Sequence, residues 1–348
     1  MNYSDHSIFM AKAYTPPFSI TPSIIRLIAE INQQLGRLSV QDEKRQLKLR
    51  RINRIRTVQG SLAIEGNTLS EVQITAILEG KRVIAPPKEI QEARNALLAY
   101  EQFDRWIPCN EKHLLAAHQL LMTGLVDDAG LYRQGNVGVM NGSQVVHMAP
   151  PANRVPQLMA DLLGWLSTTE QHPLIASCVF HYEFEFIHPF SDGNGRMGRL
   201  WQTLILSRWL PLLAQLPVES MIHASQSQYY QAINHSTKQS DCAAFIEFML
   251  TMINNTLQEN DKHLRQDSAF YQVSPQVDPQ VSPQVGQLLA LLSQGPLGRD
   301  QLQQLLQLKD RKSFSARYLK PALQAGWIEM TLPDKPNSRL QQYRLKQL

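Results

Sequence analysis

The sequence predicts a mainly α-helical protein carrying a β-hairpin flap and a small C-terminal domain of three helices and a β-wing. Three observations predict it. Apolar residues recur at helical spacing over most of the chain, one strong hairpin signal interrupts them, and a proline repeat sets the tail apart.

The helical pattern begins with Ile24, Leu27, Ile28, Ile31 and Leu35, which fall on one face of a helix. Ser70 precedes Glu71 and then Ile74, Ile77 and Leu78, an N-cap followed by an acidic first turn. Leu114 to Leu121, Leu158 to Leu166 and Phe245 to Ile253 repeat the spacing. Asn136 to His147 reads differently, with β-branched residues placed around Asn141-Gly142. That dipeptide suits the positive-φ positions of a two-residue hairpin turn. Pro150 and Pro151 end the second strand.

From Val273 to Val285 the chain repeats Val-Ser/Asp-Pro-Gln. Proline at every fourth position removes the donors a regular helix needs, so this is an extended linker. Beyond it, Leu288 to Leu292, Asp300 to Leu308 and Ser313 to Ala325 read as three helices. Gly326 to Met330 and Leu340 to Leu345 read as two strands, so the tail resembles a winged helix-turn-helix. It carries ten Lys and Arg against four acidic residues, a balance of +6, which leaves −2 for the rest of a chain whose net charge is +4. Arg311, Lys312, Arg317 and Lys320 lie on or just before its third helix. Two partners stay open for this tail: DNA through residues 286–348, or another protein surface, a second copy of the chain included.

Across 348 residues, 43% hydrophobic and 18% charged composition allows a buried core and argues against global disorder. Cys109, Cys178 and Cys242 are too far apart for a disulfide framework or zinc spacing, and read as buried free thiols. His181, Glu183 and Glu185 lack the H-E-x-x-H spacing of a zinc site. No apolar run approaches the roughly 18 residues of a membrane span. With no secretory pattern at residues 1–17 either, the expected location is cytoplasmic.

The chemistry concentrates in His188-Pro189-Phe190-Ser191-Asp192-Gly193-Asn194-Gly195-Arg196-Met197-Gly198-Arg199. Its glycines spell G-x-G-x-x-G, the fingerprint of a dinucleotide-binding βαβ unit. That reading fails on its surroundings. Cys178, Tyr182 and Phe186 are spaced by four, as are Phe180 and Phe184, so the preceding run fits a buried helix as well as a strand, and further alternating strands are missing. The charged residues also need a role. Gly193 and Gly195 permit a tight turn whose N–H groups face one anion, and a helix starting near Asn194 adds its positive end. Arg196 and Arg199 share a face of that helix and offer forked donors to phosphate oxygens. Asp192 is a hard oxygen ligand suited to Mg2+, and His188 is placed to take a proton near neutral pH.

His188-x-Phe190-x-Asp192-Gly193-Asn194-Gly195-Arg196-x-x-Arg199 matches every position of the motif H-x-F-x-(D/E)-G-N-G-R-x-x-R, and the chain resembles the Fic family. The resemblance implies a helical core that transfers AMP from ATP, with Mg2+, to a hydroxyl side chain (Tyr, Thr or Ser) of a target protein. It implies that His188 is the general base and Asp192 the metal ligand. Gly193, Asn194, Gly195, Arg196, Met197, Gly198 and Arg199 would form the nucleotide-binding loop, with both arginines on the β- and γ-phosphates. Upstream, Ser61-Leu62-Ala63-Ile64-Glu65-Gly66 fits the family's inhibitory motif (S/T)-x-x-x-E-(G/N), in which Glu65 would pair with Arg199 and withhold it from ATP. Val145, Val146 and His147 fall at the family's target-docking flap, and Tyr229 and Tyr230 where aromatics border the adenine. The expected divisions are therefore an N-terminal helical region at 1–109, the Fic core at 110–265, a linker at 266–285 and the winged-helix-like domain at 286–348. Two rivals remain: removal of AMP at the same site, and a nucleotide-sensing DNA-binding regulator.

Overall fold

In the computed structural model the described residues are 14–38, 43–141, 144–272, 283–292, 295–306, 308, 310–335, 338 and 341–346. The chain forms two compact units, residues 1–260 and 261–348.

The first unit is built almost wholly of helices: α1 (Pro22–Leu38), α2 (Glu43–Ile64), α3 (Glu71–Leu78), α4 (Pro87–Glu101) and α5 (Glu111–Met122), then α6 (Val155–Thr168), α7 (Pro173–Ile187), α8 (Asn194–Trp209), α9 (Val218–Ala224), α10 (Gln226–Gln239) and the start of α11 (Ala243–Gln272), whose residues from 261 onward belong to the second unit. The apolar face expected of α1 is real, with Ile24, Leu27, Ile31 and Leu35 buried. Ser70 caps α3 as expected, and Gln73 completes a reciprocal capping box. At the centre lies α7, buried at every position from Leu174 to Phe184. A helix that is apolar all round belongs inside, which is why Tyr182 to Phe186 mimicked a strand while forming a helix. Gly198 lets α8 pack against α7. A Cβ there would lie 2.7 Å from His181 Cδ2 and 3.1 Å from Glu185 Oε1.

The hairpin forms, but one residue further on than expected: Asn141 ends the first strand and pairs with Gln144, so the connection is 142–143 rather than Asn141-Gly142. Strands β1 (Gly138–Asn141) and β2 (Gln144–Met148) pair antiparallel, with an irregularity between Val139 and Met140. The turn residues 142–143 lie outside the described residues. The expected linker is helical at both ends, because α11 continues to Gln272 and a further helix begins at Pro283, and the rest of the repeat, 273–282, lies outside the described residues. Cys178 and Cys242 are buried as expected, but Cys109 is exposed, since it follows Pro108 in a turn before α5.

The second unit contains α12 (Pro283–Leu292), β3 (Leu297–Gly298), α13 (Arg299–Leu305), α14 (Arg311–Phe314), α15 (Lys320–Gln324), β4 (Ile328–Met330) and β5 (Gln342–Leu345). The three strands form one antiparallel sheet in the order β3-β5-β4. Strand β3, only two residues long, was not legible in the sequence. A π-turn at Ser315–Leu319 joins α14 to α15 into one helix. Pro321, which lacks a donor, sits just beyond it, where the altered hydrogen-bond ladder tolerates the loss. Leu288, Leu302, Phe314, Leu319, Ile328 and Tyr343 make the unit's own core.

Candidate active site

The turn between α7 and α8 carries the motif, and it is strained where it begins. His188 caps α7 with φ 50 and ψ 62, the left-handed region that non-glycine residues occupy only at a cost. A single buried side chain holds it there. Arg133 donates from Nε to the carbonyl of His188 at 2.7 Å and from Nη2 to that of Ile187 at 3.3 Å. The same guanidinium reaches the carbonyls of Gly135 (2.8 Å) and Pro150 (2.6 Å), which flank the hairpin. Its backbone N–H donates to Pro189.

The middle of the turn is equally fixed. Phe190 is fully buried and stacks on His118 at a ring separation of 3.6 Å. Gly130 N–H donates to His118 Nδ1, so Nε2–H is the donor to the Asp192 carbonyl at 3.0 Å. Burial pushes the pKa of this imidazole down, consistent with a neutral ring. Asn194 reaches back to accept from the N–H of Phe190 and to donate to its carbonyl, each at 2.9 Å. Its side chain therefore closes the turn, leaving backbone N–H groups at the start of α8 as its share of an anion cradle. Gly193 needs its φ of 83, and a Cβ there would strike Met122 Sδ at 2.6 Å.

An anion already sits at the head of α8, and it is Glu65. A Cβ on Gly195 would collide with Glu65 Oε1 and lie 3.0 Å from Arg199 Nη1. Glu65 Oε1 accepts from Arg199 Nη2 at 2.7 Å. Ser61 completes the grip, its Oγ accepting from Nε at 3.1 Å and its carbonyl from Nη2 at 3.0 Å. Burial opposes the charge on Arg199, yet the Glu65 carboxylate holds its pKa above the ordinary value. Arg199 Nη1 is buried and has no hydrogen-bond partner, an unspent donor beside the cradle.

The inhibitory segment is delivered here by the end of α2. Gly66, at φ 89, terminates the helix, and the N–H of Asn67 returns to the Leu62 carbonyl, a Schellman closure. Gly60 brings α2 against α9, since a Cβ would meet Ser220 N at 2.6 Å. Ser220 Oγ and Gln226 Nε2 donate to the carbonyls of Arg56 and Ile64.

Arg196 is also buried, and two carboxylates hold it: Glu92 Oε1 at 3.2 Å and Asp192 Oδ1 at 3.0 Å. Asp192 keeps its side chain 48% exposed, so it is the carboxylate open to a metal ion. Among the described residues no cluster of three His, Cys, Asp or Glu side chains forms a metal cage. One exposed carboxylate beside a phosphate cradle suits Mg2+, which keeps several waters and takes its other ligands from phosphate.

Some expectations are relocated. Tyr229 is buried in the core, 1% exposed, with its hydroxyl on His181 and its ring against Phe245 and Phe248. Aromatics at helical spacing serve packing as readily as binding, and only the half-exposed Tyr230 keeps a ring available. The Met197 side chain is fully buried, and Gly198 faces α7. Val145, Val146 and His147 lie in β2, where His147 pairs with Val139 and Val145 with Met140. Their side chains are outside the described residues. Sequence reasoning missed Glu92, His118 and Arg133. Nothing in their spacing marks them, because each meets the motif only through the fold.

One helical turn thus brings together a histidine, an exposed acid and two buried arginines, with the Glu65 carboxylate lodged among them. The Fic/DOC family pattern matches residues 108–206, and the pattern for the C-terminal domain of Filamentation induced by cAMP protein Fic-like matches 283–346. A crystal structure of a Fic family protein from Desulfovibrio desulfuricans G20 is 51% identical, covers 96% of this chain and 99% of its own, and superposes with a TM-score of 0.74. This chain belongs to the Fic family. Protein adenylyltransferase fic-1 of Caenorhabditis briggsae is 33% identical over 208 residues, 55% of this chain. The alignment spans only 38% of that relative's length. Residues 134–508 of Fic-1 from C. elegans share the fold at 22% identity and a TM-score of 0.58, covering 70% of this chain and 72% of that one.

Proposed function

We propose that this protein is a protein adenylyltransferase held off by its own Glu65. The observation that carries the reading is the Glu65 carboxylate, 2.7 Å from Arg199 and lodged against Gly195 at the start of α8. A carboxylate there occupies the place a phosphate needs, and it engages an arginine suited to bind one. With Glu65 withdrawn, Gly195 and the first N–H groups of α8 receive phosphate oxygens. Arg199 and Arg196 grip the terminal phosphates. Asp192 would hold Mg2+, which supplies charge neutralisation to the phosphates. A target hydroxyl attacks the α-phosphorus, its proton passes to His188, the bond from that phosphorus to the bridging oxygen breaks, and pyrophosphate leaves. The target docks by adding an extended segment to the β1–β2 hairpin.

The test is label transfer from ATP carrying a marked α-phosphate. Wild type is expected to label weakly, Glu65→Gly to label strongly, and His188→Ala to lose labelling. Unchanged labelling by a folded Glu65→Gly variant would remove the inhibition. Removal of AMP at the same site is a second reading, favoured because the Glu65 side chain is 35% exposed and able to orient a water. It predicts Glu65-dependent release of AMP from a modified target.

For the C-terminal unit we infer DNA binding, supported by its helices and antiparallel wing, its balance of +6 and the exposed Arg311, Arg317 and Lys320 along one helix. A gel shift with the full chain should show binding that weakens steeply with salt. No salt-dependent shift would leave this unit a protein-docking module. Among the described residues no helix is long and apolar enough to cross a membrane.

A further inference from the structure

We propose that Glu92, on α4, is the positioning residue that aims Arg196 at the terminal phosphates of ATP. The proposal rests on the adenylyltransferase reading and assigns a role that the motif itself does not contain.

The argument starts from burial. The Arg196 side chain is 6% exposed, so its charge requires a partner that is always present. Its two partners differ. Asp192 is 48% exposed and is the carboxylate available to a metal ion, so it is not a permanent counter-ion. Glu92 is 12% exposed and lies 104 residues away in sequence, reaching Nη1 from another helix at 3.2 Å. When Asp192 turns to a metal, Glu92 alone remains to neutralise the guanidinium. It also fixes one end of the fork, so that Nη2, the donor now on Asp192, is the one released toward a phosphate oxygen.

Glu92 is itself held in place. Its Oε2 accepts from Asn67 Nδ2 at 2.9 Å, and Asn67 is anchored through Oδ1, which accepts from the N–H of Leu69 at 3.0 Å. Asn67 stands two residues after Glu65. The segment that blocks Arg199 thus also aligns the carboxylate that orients Arg196.

The experiment compares ATP with AMP, because AMP lacks the phosphates Arg196 would hold. Affinities for both are measured by calorimetry on the full chain in the Glu65→Gly background. Glu92→Gln, which keeps the shape and removes the charge, is the main variant. ATP affinity is expected to fall about tenfold, the size of one charge-assisted hydrogen bond, while AMP affinity stays within about twofold. In an Arg196→Ala background the same substitution should cost nothing further. Unchanged or tighter ATP binding would overturn the proposal, by showing that Glu92 merely competes with phosphate. Equal losses for ATP and AMP, or a full additional loss without Arg196, would also overturn it, by showing a general structural role. If the Glu65→Gly parent binds ATP no better than AMP and transfers no label, the adenylyltransferase reading falls and takes this proposal with it. A healthy parent with an indifferent Glu92→Gln removes only the role of Glu92.

Discussion

Replacing Glu65 by glycine should make the resting protein less stable and more responsive to ATP at once. The pair it breaks is 2.7 Å long, with Arg199 1% and Glu65 35% exposed on the side chain. Two unit charges 4 Å apart attract by about 4 kcal/mol at an effective dielectric near 20. Solvent reaches Glu65, so the net loss is discounted to about 1–2 kcal/mol. For a unit of this size that lowers the melting temperature by about 2–4 °C. Ser61 continues to accept from Arg199, which keeps the loss from being larger. Ligand then reverses the order. In wild type the phosphates must first displace the carboxylate, whereas in the variant they meet an open cradle and a buried arginine lacking its anion. ATP at about a hundredfold excess over its dissociation constant stabilises by about 2.7 kcal/mol, enough to return the variant to the wild-type melting temperature or above. The assay is a thermal melt of both proteins with and without MgATP. Equal melting temperatures without ligand, or an equal upward shift with it, would refute the claim that Glu65 and phosphate share one place.

Two further outcomes follow from the same geometry. Gly195→Ala should free Arg199 without creating activity, because the new methyl lies where Glu65 Oε1 now sits and where phosphate would follow; labelling as strong as that of Glu65→Gly would contradict this. Glu219 is buried, accepts from Thr203 Oγ1 and Tyr100 Oη, and has its carboxyl pushed up to about 7 by burial. The folded state then holds a proton that the unfolded state releases from about pH 4.5, so stability falls as pH rises from about 4.5 to 7 and stays low above. Glu219→Gln, neutral throughout, should match wild type near pH 5 and exceed it by about 3 kcal/mol at pH 8 in denaturant titrations; equal stability at pH 8 would show that Glu219 carries no such burden.

Local signals were legible in the sequence and long-range ones were not. The α1 face, the Ser70 cap and the hairpin each depend on neighbours within a few positions, so pattern alone located them, the hairpin to within one residue. The placing of Glu65 beside Arg199 came from two short motifs read together. Glu92, Arg133 and His118 meet the turn from 104, 55 and 74 residues away, and no spacing encodes such a meeting. Tyr229 shows a different limit: its helical spacing is compatible with a base-binding ring or a core ring, and its burial against Phe245 and Phe248 comes from helices that the spacing does not bring together. Asn194 was expected at the phosphates, yet its amide closes the turn onto Phe190, a use that the motif's letters do not distinguish.

Arg133 gives the molecule a mechanical property. Its guanidinium fastens the two stems of the hairpin, at Gly135 and Pro150, to the carbonyl of the strained His188. A load placed on the hairpin is therefore transmitted through one rigid plane to the histidine at the start of the turn. On the docking proposed above, a strand added to that edge is expected to pull on the backbone that sets the angle of the imidazole.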